Sequence, residues 1–333
     1  VRLAGLVGQP RARAQLEAEL AAGRLAHAYL FVGPAGTGRG TAARALMAAV
    51  NCQQREAPEP CGACGPCRRL AAGSHEDFLE LAPPAGAASA QIKAEEVREA
   101  IRTISFPPFA GGTRVVLIRR AGNLNPTSAN VLLKTLEEPP PGNILVLTVQ
   151  DAREVLPTLA SRSRRVRFVP LAAETIAAEL EARGTEPRAA RLKAALAGGS
   201  LGRALELDQQ RLAGELERLT GRLAEGGGPA GDWAFAEELV SQHRGQYIDR
   251  EGLAEALELL AVHFRDRAVA AAGRPGAALL PFGGGRLTVA AAAEAFGLVR
   301  RAQGQILGNA APELAVTVLL GRLRELVSDS APS

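Results

Sequence analysis

The chain is poor in lysine. Only Lys93, Lys134 and Lys193 are lysines among its 39 basic residues, the rest being arginine, so any basic function is written in guanidinium groups and the loss of one lysine could be compositional drift. Aromatic residues make up 4%, with one Trp and two Tyr. Cysteine is confined to Cys52, Cys61, Cys64 and Cys67. Four thiols in one short window mark a site and exclude a disulfide scaffold spread through the chain. No apolar run approaches the ~18 residues of a membrane-spanning helix, and residues 1–5 lack a charged leader followed by an apolar core. The expectation is a cytoplasmic protein without membrane attachment. Charge of one sign is lacking as well: the net charge of +4 permits nucleic-acid contact without demanding it.

What is there has the composition of a globular protein. With 47% hydrophobic and 22% charged residues, disorder and fibrous repeats are excluded, and 333 residues suffice for two or three domains with their own cores. Ala28-Tyr29-Leu30-Phe31-Val32 is a short run of β-formers, followed by a glycine-rich stretch and a helical pattern over 41–50. The segments 115–118 and 144–149 are apolar on both faces, as strands covered by helices on both sides are. Between them Ala129, Leu132, Leu133 and Leu136 recur at helical spacing, and Pro139-Pro140-Pro141-Gly142 ends the helix. After a strand-like stretch at 166–170 the pattern is helical to the end. The chain reads as an α/β domain with a parallel sheet at 1–169, a small helical domain at 170–208 and an all-helical domain at 209–333, with a loop at 82–90.

The cysteines are spaced Cys-x8-Cys-x2-Cys-x2-Cys, with Gly62, Gly65 and Pro66 between them to let the backbone fold around a small ion. Four thiolates at this spacing suit a closed tetrahedral zinc site, which stabilises a local excursion and leaves no open position for water or substrate. An iron–sulfur cluster or a pair of disulfides are the alternatives. A cytoplasmic setting opposes the disulfides, and the ferredoxin run would need a further cysteine and a proline downstream.

Gly33-Pro34-Ala35-Gly36-Thr37-Gly38-Arg39-Gly40-Thr41 follows the first strand and matches a phosphate-cradling loop in its glycines Gly33 and Gly38, with Gly36 between them. Its chemistry differs. The lysine that reaches the β- and γ-phosphates is Arg39, the hydroxyl that holds magnesium is Gly40, and Thr41 comes one residue late. A nucleotide hydrolase of this layout also needs carboxylates at the end of a neighbouring strand. The segment at 115–118 ends in Arg119-Arg120, and two cations there repel a metal and supply no base.

Taken together, His27-Ala28-Tyr29-Leu30-Phe31, the four-cysteine insertion, Ala129-Asn130-Val131-Leu132-Leu133-Lys134-Thr135-Leu136-Glu137-Glu138-Pro139-Pro140, Ser161-Arg162 and Gly198-Gly199-Ser200-Leu201-Gly202-Arg203-Ala204-Leu205 resemble the clamp-loader subunits of bacterial DNA polymerase III. The Leu-Leu-Lys-x-Leu-Glu-Glu-Pro-Pro run is the most specific of these; the C-terminal region matches weakly, through an asparagine-led turn at Asn309. The resemblance implies a RecA-like AAA+ α/β domain with a zinc-binding insertion at 52–67, a helical lid and a helical collar that oligomerises. Within that family the gamma and tau motors keep the lysine, hydroxyl and acidic pair, whereas delta-prime subunits have lost ATPase function and keep a Ser-Arg-Cys motif. This chain has the second profile, with Ser163 in the cysteine's place.

The resemblance then implies a structural subunit that does not hydrolyse ATP, its loop of Gly33, Gly36, Gly38 and Arg39 vestigial. Its partners would be gamma or tau and delta in a hetero-pentamer that loads the sliding clamp on primed DNA, with Arg162 reaching in trans into a motor's ATP site as an arginine finger. Arg162 is expected after the last parallel strand, at the domain's edge. The alternatives are a motor-type clamp-loader ATPase with an unusual loop and a repair or recombination AAA+ module. Lys134 and Glu138, four apart on a helix, are placed to pair with each other. Glu137 and Glu138 could instead touch an adjacent subunit, and His75 reads as a surface residue.

Overall fold

The computed structural model describes residues 3, 5–54, 59–84, 91–110, 112–225, 228–243, 248, 250–274, 277–280, 287–308 and 310–329. Asn309 and most of the expected loop at 82–90 lie outside them. The backbone divides into two compact units, Val1–Thr175 with Gly199–Gly202 and Ile176–Gly198 with Arg203–Ser333.

The first unit is built on five parallel strands, β1 (Ala28–Val32), β2 (Phe78–Leu81), β3 (Arg114–Ile118), β4 (Asn143–Val149) and β5 (Arg164–Arg167), in the order β2-β3-β4-β1-β5. Its helices are α1 (Pro10–Ala21), α2 (Arg39–Asn51), α3 (Gly65–Ala71), α4 (Ala94–Ile104), α5 (Pro126–Glu137) and α6 (Pro157–Ser161). Alternation along each strand sends side chains to both faces. Tyr29, Phe31, Val115, Leu117, Ile144 and Val146 pack with Leu16 of α1 and Leu46 and Met47 of α2. Leu30, Val116, Ile118, Leu145 and Leu147 pack with Val97 and Ile104 of α4, Leu132 and Leu136 of α5 and Leu159 of α6. The result is the helix–sheet–helix sandwich of a RecA-like AAA+ domain, and the buried runs in the sequence are its central strands. The strand-like stretch near 166 is a fifth parallel strand, so Arg162 precedes the last strand instead of following it.

One polar pair inside this unit is fully buried. Arg114, 0% exposed at its side chain, meets Asp77 at 1% exposure, 3.0 Å apart. Both partners are bonded further: the guanidinium donates to the carbonyls of Thr103 (2.7 Å), Phe106 (2.9 Å) and Pro107 (3.2 Å), and Asp77 accepts from the amides of Phe109 (2.9 Å) and Ala110 (2.8 Å). The pair thereby fixes the segment after α4, which carries Phe106 and Phe109 outward. Removing one partner leaves an uncompensated buried charge, which costs about 3–5 kcal/mol. Asp77→Ala is therefore expected to lower the melting temperature of the first unit, and an unchanged thermal melt would contradict this.

The second unit is helical among its described residues: the greater part of α7 (Ala173–Ala182), then α8 (Pro187–Leu196), most of α9 (Leu201–Glu206), α10 (Gln209–Ala224), α11 (Gly228–Gln242), α12 (Arg250–Ala256), α13 (Glu258–Ala271), α14 (Val289–Leu307) and α15 (Pro312–Asp329). Leu192 and Leu196 of α8 share one core with Leu219 of α10, Leu239 of α11, Leu260 and Phe264 of α13, Val299 of α14 and Leu320 of α15. His263 of α13 is buried with no partner for Nδ1. Burial first, and then the charge of Arg267, pull it down to about 4, with Asp266 opposing. The folded form thus holds a neutral imidazole, while the unfolded chain takes up a proton near pH 6.5. Stability from this residue is fully present above pH 6.5 and is lost as pH falls toward 4. Thermal melts of His263→Gln should show a shallower loss across that window than the parent chain, and identical pH profiles would contradict it.

Candidate nucleotide site, cysteine cluster and arginine finger

The glycine loop joins β1 to α2 at the carboxyl end of the sheet, where open α/β sheets place their ligands. Gly33, Gly36 and Gly38 have φ of +156°, +70° and +97°, conformations that disfavour a side chain. A Cβ at Gly33 would lie 2.3 Å from the Phe168 carbonyl oxygen, so the approach of the loop to the end of β5 also demands glycine. Thr37 is buried and donates from Oγ1 to the Pro34 carbonyl at 2.8 Å, closing the loop on itself. Gly202, in the resembling stretch at 198–205, donates its amide to the Gly36 carbonyl at 3.3 Å. Gln9, buried at the start of α1, donates to the carbonyls of Thr37 (3.1 Å) and Val169 (2.6 Å) and accepts from the Val169 amide (3.0 Å). Nothing in the sequence pattern singled out Gln9 as the fastening between loop, α1 and the exit of β5.

The cations around the loop are engaged with protein groups. Arg39 turns its guanidinium to the Val149 carbonyl at the end of β4. Burial lowers its pKa from the ordinary arginine value; Glu154 opposes this and Arg119 adds to it. Arg119, just past β3, covers Gly40: a Cβ there would lie 2.9 Å from Arg119 Nη2. Glu80 of β2 holds Arg119 through one oxygen and Arg44 of α2 through the other. The space beside residue 40, where a metal-binding hydroxyl would project, is thus lined by a guanidinium.

Arg162 lies at the end of α6, half exposed. Its Nη2 is 2.9 Å from Glu137 Oε1, the last residue of α5, and its Nη1 donates to the Thr158 carbonyl at 3.3 Å. Ser163 is buried, donating from Oγ to the Leu159 carbonyl at 2.9 Å; a small residue fits that position. The expected pairing of Lys134 with Glu138 does not form among the described residues. Their link is a backbone one, the Glu138 amide donating to the Lys134 carbonyl at 3.1 Å, and the neighbouring Glu137 engages Arg162. Sequence spacing could not reveal a partner 25 residues away on another helix. Arg203 pairs with Glu255 at 2.6 Å within the second unit.

Cys52 closes α2, Cys64 opens α3 and Cys67 lies within it, while Cys61 sits in the turn between. Their sulfurs all lie within 4.8 Å of one another, against about 3.8 Å between sulfurs of an ideal tetrahedral zinc site. The Cys61 amide donates to Cys52 Sγ and the Cys64 amide to Cys61 Sγ, each at 3.3 Å. Burial raises the Cys64 thiol, but the amides of Gln53 and Cys67 and the thiols of Cys67 and Cys61 donate to it and bring it down to about 6. Cys67 is pushed up to about 12 by burial and by its hydrogen bond to Cys64. One thiolate is thus supported by its neighbours' protons, and ionising all four calls for a cation in their midst. The four cysteines could bind a metal ion, and four sulfur donors leave no other ligand necessary. His75, expected at the surface, is instead 5% exposed: it accepts the Asp77 amide at Nδ1 (3.1 Å) next to the buried Asp77–Arg114 pair.

These strands and helices form a parallel α/β sandwich with a glycine loop at the carboxyl ends of its strands. A family model described as "DNA polymerase III, delta subunit" matches residues 8–172. The chain is 35% identical over 216 residues to DNA polymerase III subunit tau of Escherichia coli, covering 63% of this chain and 33% of tau. It is 37% identical over 192 residues to DNA polymerase III subunit delta′ of Pseudomonas aeruginosa, covering 57% of this chain and 56% of that one. A crystal structure of a DNA polymerase III gamma subunit-related protein from Thermotoga maritima aligns over 93% of this chain and 99% of its own, at 17% identity and a TM-score of 0.44. Over its N-terminal half the chain is thus similar to tau and delta′ subunits of DNA polymerase III. The aligned stretches span only about a third to about half of these curated relatives.

If the cysteines hold a metal, purified protein should carry about one equivalent, and Cys64→Ser should lose it. Four freely titratable thiols in metal-free, fully folded protein would contradict the site.

Proposed function

We propose that the chain is the non-hydrolysing, delta-prime type of clamp-loader subunit. It assembles with gamma or tau motors and delta in a hetero-pentamer that places the sliding clamp on primed DNA, and it supplies Arg162 in trans to a motor's ATP site. The observation that carries the reading is the contact of Arg119 with Gly40: a permanent cation borders the place where a motor would hold magnesium. Drift of lysine to arginine accounts for Arg39 but not for Gly40 or Arg119-Arg120. Similarity to tau and delta′ subunits of DNA polymerase III speaks against a repair or recombination module, and the same contact speaks against a motor-type ATPase. Zinc is the ion we assign to Cys52, Cys61, Cys64 and Cys67, since closed four-sulfur sites of this spacing favour it. When bound it ties the end of α2 to α3. We assign the helices from α7 to α9 to a lid and those from α10 onward to a collar, in the cytoplasm.

An arginine supplied in trans stabilises charge on the transferring phosphoryl group and accounts for about 10³ to 10⁵ in rate. In a loader reconstituted with motor and delta subunits, Arg162→Ala should leave the assembly intact by size and mass. The motor site it serves should slow by about 10³, read as a lower DNA- and clamp-stimulated ATPase. Full ATPase in that complex would refute the finger.

A further inference from the structure

We infer that Glu137 is a positioning residue for Arg162. Two motifs far apart in sequence, the end of the Leu-Glu-Glu-Pro-Pro run and the Ser-Arg pair, meet in one ion pair: Arg162 Nη2 and Glu137 Oε1 are 2.9 Å apart. The backbones beneath the pair are fixed. Leu136, directly before Glu137, and Leu159, three residues before Arg162, belong to the same buried cluster, and Ser163 is tied back to the Leu159 carbonyl. The two side chains themselves are 38% and 50% exposed.

A free arginine side chain explores many rotamers, and a finger that must meet a phosphate pays that entropy on each encounter. The Thr158 carbonyl takes one of the five guanidinium donors and the Glu137 carboxylate pairs with the charge, and together they hold the group at the surface. Among the described residues no other group engages the guanidinium, so its remaining donors are open to an incoming phosphate. An exposed carboxylate–guanidinium pair is weak, strong enough to bias one orientation and weak enough to yield to a triphosphate of higher charge. Glu137 therefore presents the finger, and it acts only through Arg162. This inference rests on the reading of Arg162 as the finger.

The test compares Glu137→Ala, Glu137→Gln, Arg162→Ala and the double variant Glu137→Ala/Arg162→Ala in the reconstituted loader, by stimulated ATPase and by assembly mass. Glu137→Ala is expected to lower kcat by about two- to five-fold, the equivalent of one exposed ion pair, with KM for ATP and assembly unchanged. Glu137→Gln, which keeps an acceptor oxygen, should fall between it and the parent. The double variant should match Arg162→Ala, because Glu137 has nothing to position once the arginine is gone. An impaired Arg162→Ala with an unchanged or faster Glu137→Ala overturns the positioning role alone, as does a double variant whose losses multiply. An unaffected Arg162→Ala overturns the finger, and this inference with it.

Discussion

The contact between Arg119 and Gly40 sets the character of the glycine loop in the first unit. It exists because β2 lies beside β3 in parallel, with Glu80 opposite Leu117 and Leu81 opposite Ile118, so that Glu80 comes within reach of the arginine leaving the end of β3. Glu80 also takes Arg44 from α2, and the three side chains bridge two strands and the helix that follows the glycine loop. The absence of a side chain at residue 40 lets the guanidinium come close; any larger residue would have to displace it.

The loop nevertheless keeps its glycines, and the structure gives a reason that does not involve nucleotide. Gly33 passes the end of β5 at a distance that excludes a Cβ, Gln9 fastens Thr37 to Val169, and Gly202 bonds to Gly36. These contacts join the ends of β1 and β5, the start of α1 and Gly202 at one corner of the first unit. On the proposed reading, a loop inherited from nucleotide-binding relatives persists as a packing element, while the reactive charge moves to Arg162 at the domain's edge.

The central strands were legible because burial on both faces leaves an uninterrupted apolar run, as in 144–149, and α5 because leucines recur along it before a triple proline. The cysteine spacing announced a cluster that the fold brings within 4.8 Å. What escaped were features that local pattern does not encode. Strand β2 is four residues, Phe-Leu-Glu-Leu, at the edge of the sheet, too short for its period to register, and with it went the role of Glu80. His75 reads as polar and exposed until the Asp77–Arg114 pair is seen to bury everything around it. Arg162 was found by motif, but its partner Glu137 lies on another helix and becomes visible only when α5 and α6 are packed on the sheet. Gln9 resembles any helix-start residue until its three bonds to the loop and the end of β5 are known.

The central claim is that this chain's own glycine loop does not support hydrolysis. It is tested most directly by steady-state ATP turnover of the purified chain alone, with magnesium and primed DNA present and no motor subunit in the sample. No turnover above a protein-free control is expected. Turnover that is proportional to the amount of chain and disappears in Arg39→Ala would contradict it.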